Sequence, residues 1–199
     1  MLRTALSALA LLSVAACASS PDSGRPHDPF VFRSVLDERP RMVTIALDDE
    51  MWVAYDATHC GLYKTWKGGV VLQGAVYDTV HGPQPVSWGK AYQDNLADRH
   101  VWRLVENGEA REVKPRFLGY DRRDPVVTMR YELPWGDTTA IVTERPEYTV
   151  DDNGWPTLHR TFTVEPGDAR RRLSTSFHLE LLVDDLSPDG TGELADAAA

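Results

Sequence analysis

Val126-Val127-Thr128-Met129-Arg130-Tyr131-Glu132-Leu133 alternates without a break, with Val127, Met129, Tyr131 and Leu133 on one side and Thr128, Arg130 and Glu132 on the other. Successive side chains of a strand leave opposite faces, so this period of two describes a half-buried strand of an antiparallel sheet. Residues 173–183 repeat the pattern, with Leu173, Thr175, Phe177, Leu179, Leu181 and Val183 opposite Ser174, Ser176, His178 and Glu180. Turn chemistry joins such runs. Asn107-Gly108 divides 101–106 from 109–113, Asp152-Asn153-Gly154 divides 143–150 from 157–164, and Trp135-Gly136-Asp137 marks a third hairpin. From about Val43 onward, short β-prone runs at this spacing predict an all-β fold. The expected architecture is an antiparallel β-sandwich of about ten strands with long aromatic-rich loops. The 13 Pro and 14 Gly recur too often for long helices, and only 91–105 could hold a short one. There is no internal repeat, which disfavours a propeller.

Composition agrees with one globular domain plus tails: 199 residues, 42% hydrophobic, 26% charged and 9% aromatic. Asp and Glu number 30 against 21 Lys and Arg, a net charge of −9, and no dense basic stretch interrupts the acidity. A phosphate-backbone footprint is therefore missing, nucleic acid is not an expected partner, and neither is basic attraction to anionic lipid.

The first residues read as an address. Met1-Leu2-Arg3 supplies one positive charge, and an apolar run from Ala5 to Ala16 is broken only by Ser7 and Ser13. Such a run is short of the roughly 20 residues of a membrane span and fits a secretory signal. It ends in Val14-Ala15-Ala16-Cys17, which resembles the lipobox of bacterial lipoproteins. The resemblance implies cleavage before Cys17 and acyl chains on that cysteine. The alternative is an ordinary signal peptide with an incidental Cys. Ala18 to Pro26 reads as a flexible tether. Ala, and not Asp, follows the cysteine, which by the lipoprotein sorting pattern implies the periplasmic face of the outer membrane. The expected organisation is a signal peptide over 1–16, a lipidated tether over 17–27, a β-sandwich over 28–183 and a disordered tail over 184–199. Without 1–16 the chain holds 20 Lys and Arg against 30 Asp and Glu, a charge of −10. If Cys17 carries lipid, Cys60 is left alone and no intramolecular disulfide can form. The sequence has no C-x-x-C-H for covalent haem, and two cysteines cannot supply a four-cysteine zinc or iron–sulfur site. No cofactor is expected.

Residues 52–92 depart from core-strand logic, with three of the six Trp (Trp52, Trp66, Trp88), two of the six His (His59, His81) and several glycines. Aromatic rings beside polar groups in glycine-rich loops suit a sugar, whose apolar face stacks on Trp or Tyr while its hydroxyls seek Asp, Gln, His or Lys. The bland reading makes the rings core and the glycines turns. On the ligand reading, Trp66 and Trp88 stack, Lys67, His81 and Gln84 hydrogen-bond, and Asp56 orients a neighbour or accepts from a hydroxyl.

Pro40 to Leu47, Trp52-Val53-Ala54-Tyr55-Asp56, Leu62-Tyr63-Lys64-Thr65-Trp66-Lys67-Gly68-Gly69-Val70, Gly74-Ala75-Val76-Tyr77 and His81-Gly82-Pro83-Gln84-Pro85 also carry a likeness. Over roughly 28–165 they resemble an N-terminal β-rich module of large exported bacterial proteins. Those proteins also carry c-type cytochrome and glucose/sorbosone-dehydrogenase-like domains. With no haem motif here, the resemblance implies context and not electron transfer: a link to periplasmic sugar oxidation through a separate redox partner.

Other chemistry is weaker on its spacing. His59-Cys60 makes a thiolate–imidazole pair only if the fold supplies another histidine, and otherwise Cys60 is a buried inert thiol. His59, His81, Asp56 and Asp78 lack the spacing of a metal site. Glu144 and Glu147 could serve as the acid pair of a glycosidase, but solvent-facing strand charges are the simpler reading. His159 and His178 fall on outward positions. Three classes of function remain: a lipid-anchored accessory module that binds carbohydrate or a periplasmic sugar-oxidising redox protein; a glycan hydrolase, lyase or epimerase on the same scaffold; and a structural or assembly lipoprotein. No catalytic constellation is visible, which favours the first.

Overall fold

A computed structural model describes residues 27–94, 101–106, 108–135, 138–167 and 178–181. The expected signal peptide, Cys17, most of the expected tether, most of the 173–183 run and the expected tail lie outside them. The described residues contain strands and no helix. Five strands form a first sheet in sequence order: β1 (Phe30–Leu36), β2 (Arg39–Asp48), β3 (Met51–Asp56), β4 (Gly61–Val71) and β5 (Val86–Asp94). A third, small sheet contains β6 (Trp102–Glu106) and β7 (Glu109–Glu112). The second sheet has the order β11-β10-β9-β8, from β8 (Arg116–Arg123), β9 (Val126–Trp135), β10 (Thr138–Val150) and β11 (Pro156–Pro166). The last described strand, β12 (His178–Leu181), pairs with β6. Every described pairing is antiparallel.

The three hairpins lie where turn chemistry places them. Glu106 pairs with Glu109, Trp135 with Thr138 and Val150 with Pro156. At the last, the Asp151 carboxylate accepts from the backbone N–H of Asn153 and Trp155 at 2.9 and 2.7 Å, and Gly154 takes φ +83°. A short acidic side chain that bonds the backbone ahead of it, followed by a residue free to adopt positive φ, closes a tight turn. On β9 the alternation holds side by side: Val127, Met129, Tyr131 and Leu133 are buried, while Arg130 is exposed.

Those four side chains enter the larger core cluster. Val43 and Ile45 of β2, Val53 and Tyr55 of β3, Trp102 and Leu104 of β6 and Val142 of β10 complete its centre. Members of all three sheets thus share one apolar interior. A second cluster lies on the other face of the first sheet, from Leu36, Met42, Ala46, Trp52, Ala54, Tyr63 and Trp66, with Phe30, Phe32 and Val70 against it. Two-sided burial makes β2 and β3 nearly continuous apolar runs.

The first sheet curls far enough for its first turn to meet its last strand. Asp37, between β1 and β2, accepts from the Ser87 backbone N–H and hydroxyl, both at 2.7 Å, and its own N–H donates to Pro85 O at 3.1 Å. Lys64 Nζ stands 3.8 Å from the same carboxylate.

One expectation is corrected. Residues 52–92 are mostly strand, not aromatic-rich loop: Trp52 lies in β3, Trp66 in β4 and Trp88 in β5. The long described connection, 72–85, has Tyr77 as its one aromatic residue. Trp and Tyr pack well on a pleated surface; burial on both faces hides the alternation in β3, and exposure along most of β5 leaves no apolar face to alternate. The one stretch that could have held a short helix, 91–105, contains none among its described residues, which begin in β5 and end in β6.

Candidate ligand-binding face

Asp56 ends β3 and turns the chain. Its carboxylate accepts from Thr58 N–H at 2.6 Å and lies 2.7 Å from His59 Nδ1. The next residue, Cys60, is buried with φ +52°, and its thiol points to Ala57 O at 3.9 Å. Burial, then the negative charge of Asp56, pushes this thiol from about 9 up to about 12. A thiol held protonated is a poor nucleophile, and His59 is engaged by Asp56, so no thiolate–imidazole pair forms.

Asp56 pairs with Gly61 at the start of β4, and Lys67 is six residues along that strand. At strand rise this separates Asp56 from Lys67 by about 20 Å, too far to share one sugar ring.

Trp66 is corrected from stacking platform to core. It is 0% exposed, stacks on Trp52 with ring centroids 5.9 Å apart, and donates its indole N–H to Gly69 O at 3.1 Å. The register shift between Thr65 and Trp66 sets this ring into the second cluster.

Trp88 is 49% exposed. It is paired with Gly69, and a Cβ built on Gly69 would lie 2.9 Å from the indole nitrogen, so the ring covers the glycine backbone. One register step away, Gly68 faces Gly89 with φ of +138° and +112°. A side chain on either would collide with a carbonyl of the opposite strand. Lys67 pairs with Lys90, which makes Lys67 and Trp88 diagonal neighbours about 7–8 Å apart between Cα atoms. The Lys67 ammonium lies 2.5 Å from Glu50, and Tyr92 donates to the Glu50 carbonyl at 3.1 Å. The bond to Glu50 raises the Lys67 pKa. The face therefore offers one half-exposed indole, a cation and a tyrosine on adjoining backbone.

His81 and Gln84 lie in the 72–85 connection. His81 is exposed, 3.7 Å from Asp78, and Gln84 is half-buried beside Pro85. Of the six residues expected to bind ligand, Lys67 and Trp88 are the two on adjoining strands of this face. Cys17 is outside the described residues. Asp56–His59 and Asp78–His81 are separate pairs, and among the described residues no three His, Cys, Asp or Glu gather as a metal site would need.

Sequence reasoning missed a buried polar cluster. Glu144 was expected to face solvent, but it is 0% exposed: Oε2 accepts from Tyr131 Oη at 2.8 Å and Oε1 from Arg160 Nε at 2.6 Å. Glu147 is half-exposed and pairs with Arg145, so the two glutamates do not form an acid pair. Burial, then the Glu144 charge, drives the Tyr131 and Tyr55 hydroxyls well above the ordinary phenol range. Burial alone would lower Arg160, but Glu144 outweighs it and the net shift is upward. Both oxygens of Glu144 are occupied and shut from solvent, which leaves it unable to exchange a proton with a substrate. The signal was present, since Ala140, Val142 and Glu144 share one face of β10 by period two.

Family models, curated proteins and solved structures give no match to this chain.

Proposed function

We propose that this chain is a lipid-anchored, non-catalytic binding module of the periplasm, built on a β-sandwich, with its ligand seat on the Trp88 and Lys67 face of β4 and β5. The ligand class we infer is carbohydrate. The half-exposed Trp88 ring over Gly69, with Lys67 diagonal to it, carries the reading. An indole set against a glycine backbone and half open to solvent leaves ring surface for the apolar side of a pyranose, and a neighbouring ammonium and phenol suit the hydroxyls. Burial of both Glu144 oxygens removes the one carboxylate pair weighed for glycan cleavage, and the reading proposed is therefore binding. The sandwich reading rests on the core cluster shared by the sheets.

Calorimetric titration of the purified protein with plant and bacterial oligosaccharides tests the proposal. Heat from at least one sugar, lost in Trp88→Ala, is the expected result. Silence across the panel from a cooperatively folded sample would sink carbohydrate and leave a periplasmic redox protein as the partner to seek. The row of exposed apolar side chains in the same region, Leu72, Val86, Trp88 and Tyr92, is the observation that favours that second reading.

A further inference from the structure

We propose that the tip of the 72–85 connection seats in the lipid–water interface of the membrane that holds the Cys17 anchor; the inference rests on the lipid-anchor reading above. The tip turns three apolar side chains outward among the polar Asp78, Thr79 and His81: Tyr77 is 70% exposed, Val80 79% and Val76 38%. It is also held in place. The two arms of the connection meet where Gly74 lies against Gly82 and Pro83, so closely that a Cβ on Gly74 would stand 2.6 Å from the Pro83 carbonyl. Val35 N–H donates to Val76 O at 2.8 Å and Tyr77 Oη to Arg33 O at 3.4 Å, which moors the tip along β1.

β1 is the strand into which the tether leads. Phe30 lies thirteen residues along the chain from Cys17. That length spans at most about 45 Å when fully extended. The acyl anchor therefore confines β1, and the tip beside it, to the neighbourhood of the headgroups. At such confinement a weak contact is populated that would not form from free solution. Valine gains from leaving water, and tyrosine favours the membrane interface, where its ring is sheltered and its hydroxyl wet. Asp78 opposes insertion, but its carboxylate accepts from Val80 N–H at 2.9 Å and stands 3.7 Å from His81. Without residues 1–16 the chain carries 20 Lys and Arg against 30 Asp and Glu, a charge of −10 that gains nothing from anionic lipid, so the contact is apolar.

The buried Cys60 leaves an introduced surface cysteine free for selective labelling. Val80→Cys, and Asp152→Cys in the β10–β11 turn as reference, would each carry an environment-sensitive fluorophore. The mature protein would be reconstituted in phosphatidylcholine vesicles, with mass spectrometry reading the acyl chains. The expected result is a blue shift at 80, iodide quenching reduced severalfold relative to 152, and quenching by brominated lipid. Equal iodide access at both positions in a chain of acylated mass would overturn the loop contact alone. Protection at 80 that persists without vesicles would also overturn it, because a protein surface or second copy would then cover the tip. A mass without acyl chains would overturn the anchor, and the proposal with it.

Discussion

Removing one partner of the Glu144–Arg160 pair strands the other in the core. Glu144→Leu leaves a guanidinium whose side chain is only 14% exposed. The expected loss is about 3–5 kcal/mol in denaturant unfolding. Arg160→Met should cost a similar amount, while Glu144→Leu with Arg160→Met should lie closer to the parent than either single change. Strictly additive losses would show that the pair does not act as a unit. Cys60 provides a second test at this scale. With its thiol buried and held protonated to about pH 12, it should resist an aromatic disulfide reagent at pH 8 and react fully once the chain is unfolded. Rapid reaction of the native protein would contradict that placement. Chemical type misled the reading of both Glu144 and Trp66: a carboxylate was assigned to solvent and an indole to a ligand, where strand period and register decide.

Between β4 and β5 two glycines do what no other residue could. Gly68 and Gly89 are paired, both at positive φ, with each Cα against the other strand's carbonyl. Gly89→Ala should detach β5 locally. We expect amide exchange across Val86–Asp94 to accelerate severalfold while exchange in β9 is unchanged; uniform protection in the variant would show that the close approach is not needed. Elements differed in how far the sequence exposed them, for a physical reason. β9 has one face in the core and one in water, so alternation reveals it, and Asn-Gly and Asp-Asn-Gly name their turns through φ. β2 and β3 bury both faces, so Met42 and Ala46 enter one cluster while Val43 and Ile45 enter the other, and no alternation survives. The 52–92 stretch holds both Lys67 and Trp88, together with two Trp that are buried. Which of its three Trp reach solvent depends on the curl of the first sheet and on the bulge before Trp66, and neither is written in local sequence.

At the scale of the molecule, one apolar cluster joins the three sheets and a second fills the curl of the first. Both contain a group whose proton is held more tightly in the fold. Burial first, then Asp56, raises Cys60 from about 9 to about 12; burial first, then Asp37, raises Tyr63 from about 10 to about 12. The unfolded chain gives up these protons sooner, so unfolding is favoured as pH climbs. Stability should be full below pH 9 and fall between pH 9 and 12, with Cys60 alone contributing a slope of roughly 1.4 kcal/mol per pH unit. Cys60→Ala should flatten the first part of that decline in thermal melts, and an unchanged profile would contradict the assignment. The central claim is that this scaffold presents Trp88 as a ligand seat, and the most direct measurement is Trp88→Ala assayed together for sugar heat and thermal unfolding. The account predicts that the heat vanishes while stability changes by less than about 1 kcal/mol, as expected for a half-exposed surface ring. Undiminished heat, or loss of the fold, would contradict it.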